Sequence, residues 1–211
     1  MKQLQAACEA EIARIWAGQT DGAHDIGHLR RVWRNACDIL REEPGADARV
    51  LLVAVYFHDA VNLAKSDPNR ATAAARSAGV AVNWLQGQDF TADQIAGVVH
   101  AIEAHSYSAG VTPRSAEARI LQDADRLEAL GAIGIARMFC VAGATGAALF
   151  DPDDPMALHR PPDDRRYALD HLQIKLFPAA EAMQTATGAQ MAEARAEWMA
   201  SFRTRLLTEI G

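Results

Sequence analysis

The run Arg49–Ala60, RVLLVAVYFHDA, is apolar on nearly every side until it ends in a histidine and an aspartate. A helix that is hydrophobic all round has to lie inside a domain, with other elements covering it. So short a Val-rich run also fits a buried strand. Helix is the better reading, because the flanking segments read as helices and no second strand candidate exists to pair with it. The expected helix covers about 48–60, with Asp47 as its N-cap.

The remaining segments supply covering faces. Residues 3–17 carry Leu4, Ala7, Cys8, Ile12 and Ile15 at helical spacing, and Gly18 with Thr20-Asp21-Gly22 ends that helix. A second helix is expected from about Asp25 to Glu42, with Leu29, Val32, Ala36 and Leu40 on one face and Pro44-Gly45 as its stop. An Ala-rich helix is expected over 67–87. Thr91 and Gln94 form a capping-box pattern opening a helix to about Glu103. Thr112-Pro113 reads as an N-cap followed by proline at the first helical position, with the helix running to Leu130 and Gly131 interrupting it before GAIGIARMFCVAG. Residues 143–164, rich in Gly, Asp and Pro, are expected to form a long loop, and such loops often act as lids. Helices over about 165–186 and 189–209 close the chain. High alanine content and few β-branched runs agree with an all-α fold.

The chain has 211 residues, 50% hydrophobic and 23% charged, which suits one globular domain rather than a disordered chain. Its formal net charge is -6, with no block of Lys and Arg, so a nucleic-acid polymer is not an expected partner. An acidic protein that handles phosphates needs local positive charge, from Arg, Lys or a metal ion. Cys8, Cys37 and Cys140 are far apart and form no CxxC pair, which reads as free, mostly buried thiols in a reducing cytoplasm. The N-terminal MKQLQAACEA lacks a secretory apolar stretch, and no run reaches the roughly 18 apolar residues of a membrane span. A cytoplasmic protein with no membrane partner is expected; the oligomeric state is left open.

His58 and Asp59 carry the first chemical signal. An aspartate beside a histidine at the end of so apolar a segment is costly unless its charge is compensated, and a metal ion compensates it directly. Imidazole nitrogen with carboxylate oxygen suits Mn, Fe, Ni, Co or Zn. One His-Asp pair alone is weak evidence. Upstream stands HDIGHLRRV and downstream ILQDADRLEALGAIGIAR. His24 and His28, spaced i and i+4, can share a helix face, although His24 sits at the helix start and reads as a first-turn residue. Asp123 and Asp125 are about 200° apart round a helix, so both cannot face one ion, and Asp123 reads as a structural acceptor.

The order His … His-Asp … Asp, with AHDIGHLRRV, FHDAVNLAKSDPNRA, HSYS and QDADRLEALGAIGIARMF, resembles the HD phosphohydrolase superfamily, in particular its small single-domain bacterial branch. The resemblance runs over about residues 20–200. It implies an all-α, single-domain HD-type helical bundle over 1–211, with a metal site between helices. The HD core would cover about 20–145, with C-terminal helices 165–209 packing on it. It also implies that His28, His58, Asp59 and Asp125 hold one divalent ion, with Mn, Ni, Fe, Co and Mg all open. Asp59 would double as acceptor of the water proton. Lys65 and Arg70, six and eleven residues beyond Asp59, are the cations expected to hold a phosphate chain. Lys65 is also assigned to catalysis, and His105 and His24 to substrate contact.

The expected reaction is metal-dependent hydrolysis of phosphoanhydride bonds in a small phosphorylated substrate, a nucleotide by preference. A phosphomonoesterase (nucleotidase) and a non-catalytic nucleotide-binding regulatory module are the alternatives. A two-iron oxygenase would need further His or Glu ligands, and Ala60-Val61-Asn62 supplies none after Asp59.

Overall fold

Asp47 starts the central helix as its spacing predicts: its Oδ1 accepts from the Arg49 and Val50 amides at 2.7 and 3.3 Å. The computed structural model describes residues 1–18, 25–63, 67–106 and 109–211. The described elements are α1 (Lys2–Ile15), α2 (Ile26–Leu40), α3 (Ala48–Phe57), a 3-10 turn (Arg70–Thr72), α4 (Ala73–Leu85), α5 (Ala92–His105), α6 (Ala116–Leu127), α7 (Gly131–Thr145), a π-helical turn (Leu172–Leu176), α8 (Phe177–Glu181) and α9 (Ala186–Ile210). Among the described residues there is no β-strand, only an isolated bridge between Ala148 and Tyr167. None of these helices alone is long and apolar enough to cross a membrane.

The chain divides into two units, Met1–Asp125 and Arg126–Gly211. In the first, every residue of α3 from Val50 to Phe57 is buried, and α1, α2, α4 and α5 pack around it. Burying a large apolar side chain contributes about 1.5–3 kcal/mol, so this helix anchors the unit. Gly97 lets α5 approach closely: a Cβ there would stand 3.2 Å from Val50 Cγ1. The predicted capping box is present at Thr91 and Gln94, and Gln94 also donates to Asp47 Oδ2 at 2.8 Å. Glu9 of α1 accepts from the Tyr56 hydroxyl at 2.7 Å and from Arg30 Nη2 at 2.6 Å, tying α1, α2 and α3.

α6 departs from the sequence reading. It begins at Ala116, not at Pro113, because Ser115 Oγ accepts from the Ala118 amide at 3.1 Å and does the capping. The Arg114 amide instead donates to His100 Nε2 at 2.9 Å, which gives His100 a structural role.

In the second unit α7 runs to Thr145 and stops at Gly146, whose φ of 73° is left-handed. Gly131 opens α7 with a φ of 68°. The following loop is stitched down. Arg160 donates to both oxygens of the fully buried Asp170, at 2.6 and 2.9 Å, and lies 4.3 Å from the centre of the Tyr167 ring. The helix expected over 165–186 is broken. Ala168 and Leu169 give their amides to Ala148 and Leu149, in extended pairing rather than a helical ladder. Pro178 brings no amide of its own, and the backbone before it widens into the π turn. Some side chains stand further out than apolar character or the thiol reading suggests. Trp198 is 47% exposed and stacks on Phe202. Cys140 is exposed and Cys37 half-buried, so only Cys8 is a buried thiol.

Candidate metal centre

Four segments of the first unit bring their side chains to one place. His28 sits in the first turn of α2, where Asp25 caps the helix by accepting from the His28 amide at 2.7 Å. His58 is the residue at which α3 ends, and Asp59 follows it. His105 is the last residue of α5. Asp125 lies in the last turn of α6. Apolar packing of α3 therefore fixes where the His58-Asp59 pair stands.

The separations are those of ligands round a shared centre. His28 Nε2 stands 3.6 Å from Asp125 Oδ1. His58 Nε2 stands 3.5 Å from Asp59 Oδ2 and 3.7 Å from Asp125 Oδ1. His105 Nε2 stands 3.8 Å from Asp59 Oδ1. Hydrogen bonds run at about 2.7–3.2 Å, so these contacts are too long to be direct ones. Donors about 2.0–2.2 Å from a common ion are separated by about this much. His58 Nε2 is fully buried and makes no hydrogen bond, and a cation between these atoms would satisfy it.

Backbone carbonyls fix the imidazoles for that task. His58 Nδ1 lies 2.7 Å from the Val55 carbonyl oxygen, and His105 Nδ1 lies 2.5 Å from that of Ile102. In each neutral ring Nδ1 must donate, so Nε2 presents its lone pair to the cluster. This is how a metal-binding tautomer is set.

Among the described residues two ligand groupings are possible, His28 with His58 and Asp125, and His58 with Asp59 and His105. Both groupings share His58, so the five side chains lie in one cluster. His28 and His58 are buried and the His105 side chain is nearly so, whereas the side chains of Asp59 and Asp125 are 22% and 32% exposed. Water therefore reaches the carboxylate side.

Charge follows the geometry. Burial disfavours a charged His58, but the Asp59 and Asp125 carboxylates outweigh it and push its pKa up to about 9. His105 moves the other way, because burial and the charge of His58 lower it. Burial works against a charged Asp125, yet His58 and the other imidazoles hold it well below the usual carboxylate range.

Of the residues singled out in the sequence, His28, His58, Asp59, Asp125 and His105 converge. Asp123 is fully buried in α6 and belongs to neither ligand grouping. Arg70 opens the 3-10 turn and donates through Nη1 to the Leu63 carbonyl oxygen. His24 and Lys65 lie outside the described residues. In the second unit, His171 Nδ1 pairs with Asp164 at 2.8 Å, and Lys175 joins the same carboxylate. The placement of His105 against Asp59 is the feature sequence reasoning missed; its position as the final residue of an apolar helix, like that of His58, was the available signal.

The family model described as HD domain matches residues 25–130. The uncharacterized protein YpgQ of Bacillus subtilis (strain 168) is 31% identical over 218 residues, covering 100% of this chain and 96% of its own. The crystal structure of an HD-superfamily hydrolase from Bacillus thuringiensis superposes with a TM-score of 0.76 at 30% identity, over 99% of this chain and 97% of that one. The crystal structure of B. subtilis YpgQ in complex with ADP gives a TM-score of 0.72 at 26% identity, over 98% and 95% of the two chains. With the ordered His … His-Asp … Asp set gathered at one point and likeness along the whole chain, the protein belongs to the HD-domain family.

Proposed function

We propose that this chain is a metal-dependent phosphohydrolase that cleaves phosphoanhydride bonds of nucleotides. The observation that carries the proposal is the convergence of His28, His58, Asp59 and Asp125, with His58 Nε2 buried, aimed inward and making no hydrogen bond. These four side chains would hold one divalent ion; Mn, Ni, Fe and Co suit a mixed nitrogen and oxygen donor set, and Mg, which prefers oxygen alone, stays among the ions to be tested. When bound, such an ion makes water more acidic and neutralises phosphoryl charge.

Asp59 divides its two oxygens. Oδ2 faces His58 and Oδ1 faces His105. One carboxylate can thus serve as ligand and also accept the proton of the attacking water. His105, kept neutral by burial, offers the next acceptor and can return the proton to a leaving phosphate oxygen. Lys65, Arg70 and His24 are assigned to the phosphate chain and the rest of the substrate, with Lys65 stabilising charge in the transition state. A nucleotide is the favoured substrate class because the relative YpgQ forms a complex with ADP.

The test is turnover by chelator-stripped protein reloaded with each ion in turn. Pyrophosphate or orthophosphate release from nucleoside triphosphates is expected. Orthophosphate from monophosphates alone would make the protein a phosphomonoesterase. Nucleotide binding without turnover under every ion would make it a regulatory module.

A further inference from the structure

We infer that Asn35, Ser77 and Gln122 are positioning residues that hold the backbone beside the metal ligands in register, and so set the affinity of the centre for a divalent cation. The inference rests on the metal reading above.

Outside its tyrosine, the buried polar side chains described in the first unit are His28, Asn35, His58, Ser77, Gln122 and Asp123. Two belong to the centre. Three others reach across to another segment and grip its backbone within two residues of a centre residue. Asn35 of α2 donates through Nδ2 to the Ala124 carbonyl oxygen at 3.1 Å, next to Asp125. Gln122 of α6 donates through Nε2 to the Ala104 carbonyl oxygen at 2.9 Å, next to His105. Ser77 of α4 accepts from the Val61 amide at 3.0 Å and lies 3.4 Å from the Val61 carbonyl oxygen, just past Asp59. At the same junction Trp16, which caps the end of α1, donates through Nε1 to the Ala60 carbonyl oxygen at 3.4 Å.

A buried amide or hydroxyl is a poor way to gain stability, because apolar side chains of the same size usually do as well. What it adds is direction. Apolar contacts leave a helix free to slide or turn by fractions of an ångström, whereas a hydrogen bond to one named carbonyl does not. Ligands need placement within about 0.5 Å to act together. These bonds link α2 to α6 and α6 to α5, and fasten the Asp59 junction to α4, so every segment that carries a ligand or His105 is held by at least one of them, and Gln122 itself pins α6 three residues before Asp125. Buried polar groups concentrated at the ligand-bearing backbone fit a role in holding the centre.

The experiment is calorimetric titration of Mn2+ into the full chain after chelation, for the wild type and for Ser77→Ala, Asn35→Leu and Gln122→Met. Circular dichroism fixes the folded fraction, and thermal unfolding of the metal-free forms measures stability separately. Ile39→Val, a loss of packing elsewhere on α2, is the control. Each of the three variants is expected to bind Mn2+ about 10- to 100-fold more weakly per folded molecule, while Ile39→Val loses stability but keeps its affinity. Ser77→Ala removes a single oxygen and decides the matter if the larger replacements fail to fold. Wild-type affinity in the folded variants, or an equal loss in Ile39→Val, overturns the inference alone. A wild type that takes up no Mn2+, Co2+ or Ni2+ overturns the metal reading as well.

Discussion

His58 and His105 meet edge to face, with ring centroids 4.8 Å apart, and each spends Nδ1 on a carbonyl three residues behind it. The two rings are therefore held in orientation before any ligand arrives. His58→Ala is expected to abolish tight metal binding and turnover while leaving the helix content intact. Metal analysis of the purified variant checks this, and full metal content in it would refute the assignment.

Metal uptake should depend on pH in a definite sense. Without an ion, His58 titrates at about 9 instead of 6.5, so its pairing with Asp59 and Asp125 stabilises the metal-free fold fully below pH 6.5. That contribution fades as pH rises through about 9. Binding a cation requires the neutral ring, so affinity for Mn2+ should rise about tenfold per pH unit over this window, with a proton released to buffer. Titrations in buffers of different ionisation heat measure that proton.

Acid should loosen the first unit through Glu9. Hydrogen bonding from Arg30 is the main cause that lowers its pKa from 4.5 to about 2. A lowered carboxylate stabilises the fold above pH 4.5 and loses that effect as pH falls toward 2. Urea unfolding midpoints of Glu9→Gln should fall less steeply over this range than those of the wild type.

The loop after α7 should behave as a fixed part of the second unit. Asp170→Ala strips Arg160 of its bidentate partner and leaves the Asp163 amide, now 2.7 Å from Asp170 Oδ2, without an acceptor. Arg160 keeps Asp151 at 3.4 Å, so a clear fall in the unfolding midpoint is expected rather than loss of the fold. Urea unfolding and protease cutting within 146–166 both report it; an unchanged midpoint would mean that the loop is held by something else.

How much of this was legible beforehand depends on how local each cause is. Asp47 and Thr91 announced their helices because a cap acts within three residues. The burial of α3 could be read from composition alone. Asp125 was separable from Asp123 by helix geometry, but which of them joined the histidines came from the family resemblance. Ser115 displaced Thr112 as the cap of α6 because two acceptable starts lay three residues apart, and contact of Arg114 with His100 decides between them. The break in the helix over 165–186 depends on Ala148 and Leu149, some twenty residues away, and on Arg160 reaching Asp170. His105 was visible as a helix-ending histidine, yet its facing Asp59 is a product of packing between α5 and α3.

One consequence follows from where His58 and Asp59 stand. They follow directly on eight consecutive buried residues of α3, so a change of packing along α3 reaches them more directly than one on α2, such as Ile39→Val. A methyl group added to or taken from Leu51, Leu52 or Ala54 would be felt at the end of α3, where His58 and Asp59 stand. Attempts to make this protein sturdier by refilling its interior would therefore retune its chemistry at the same stroke.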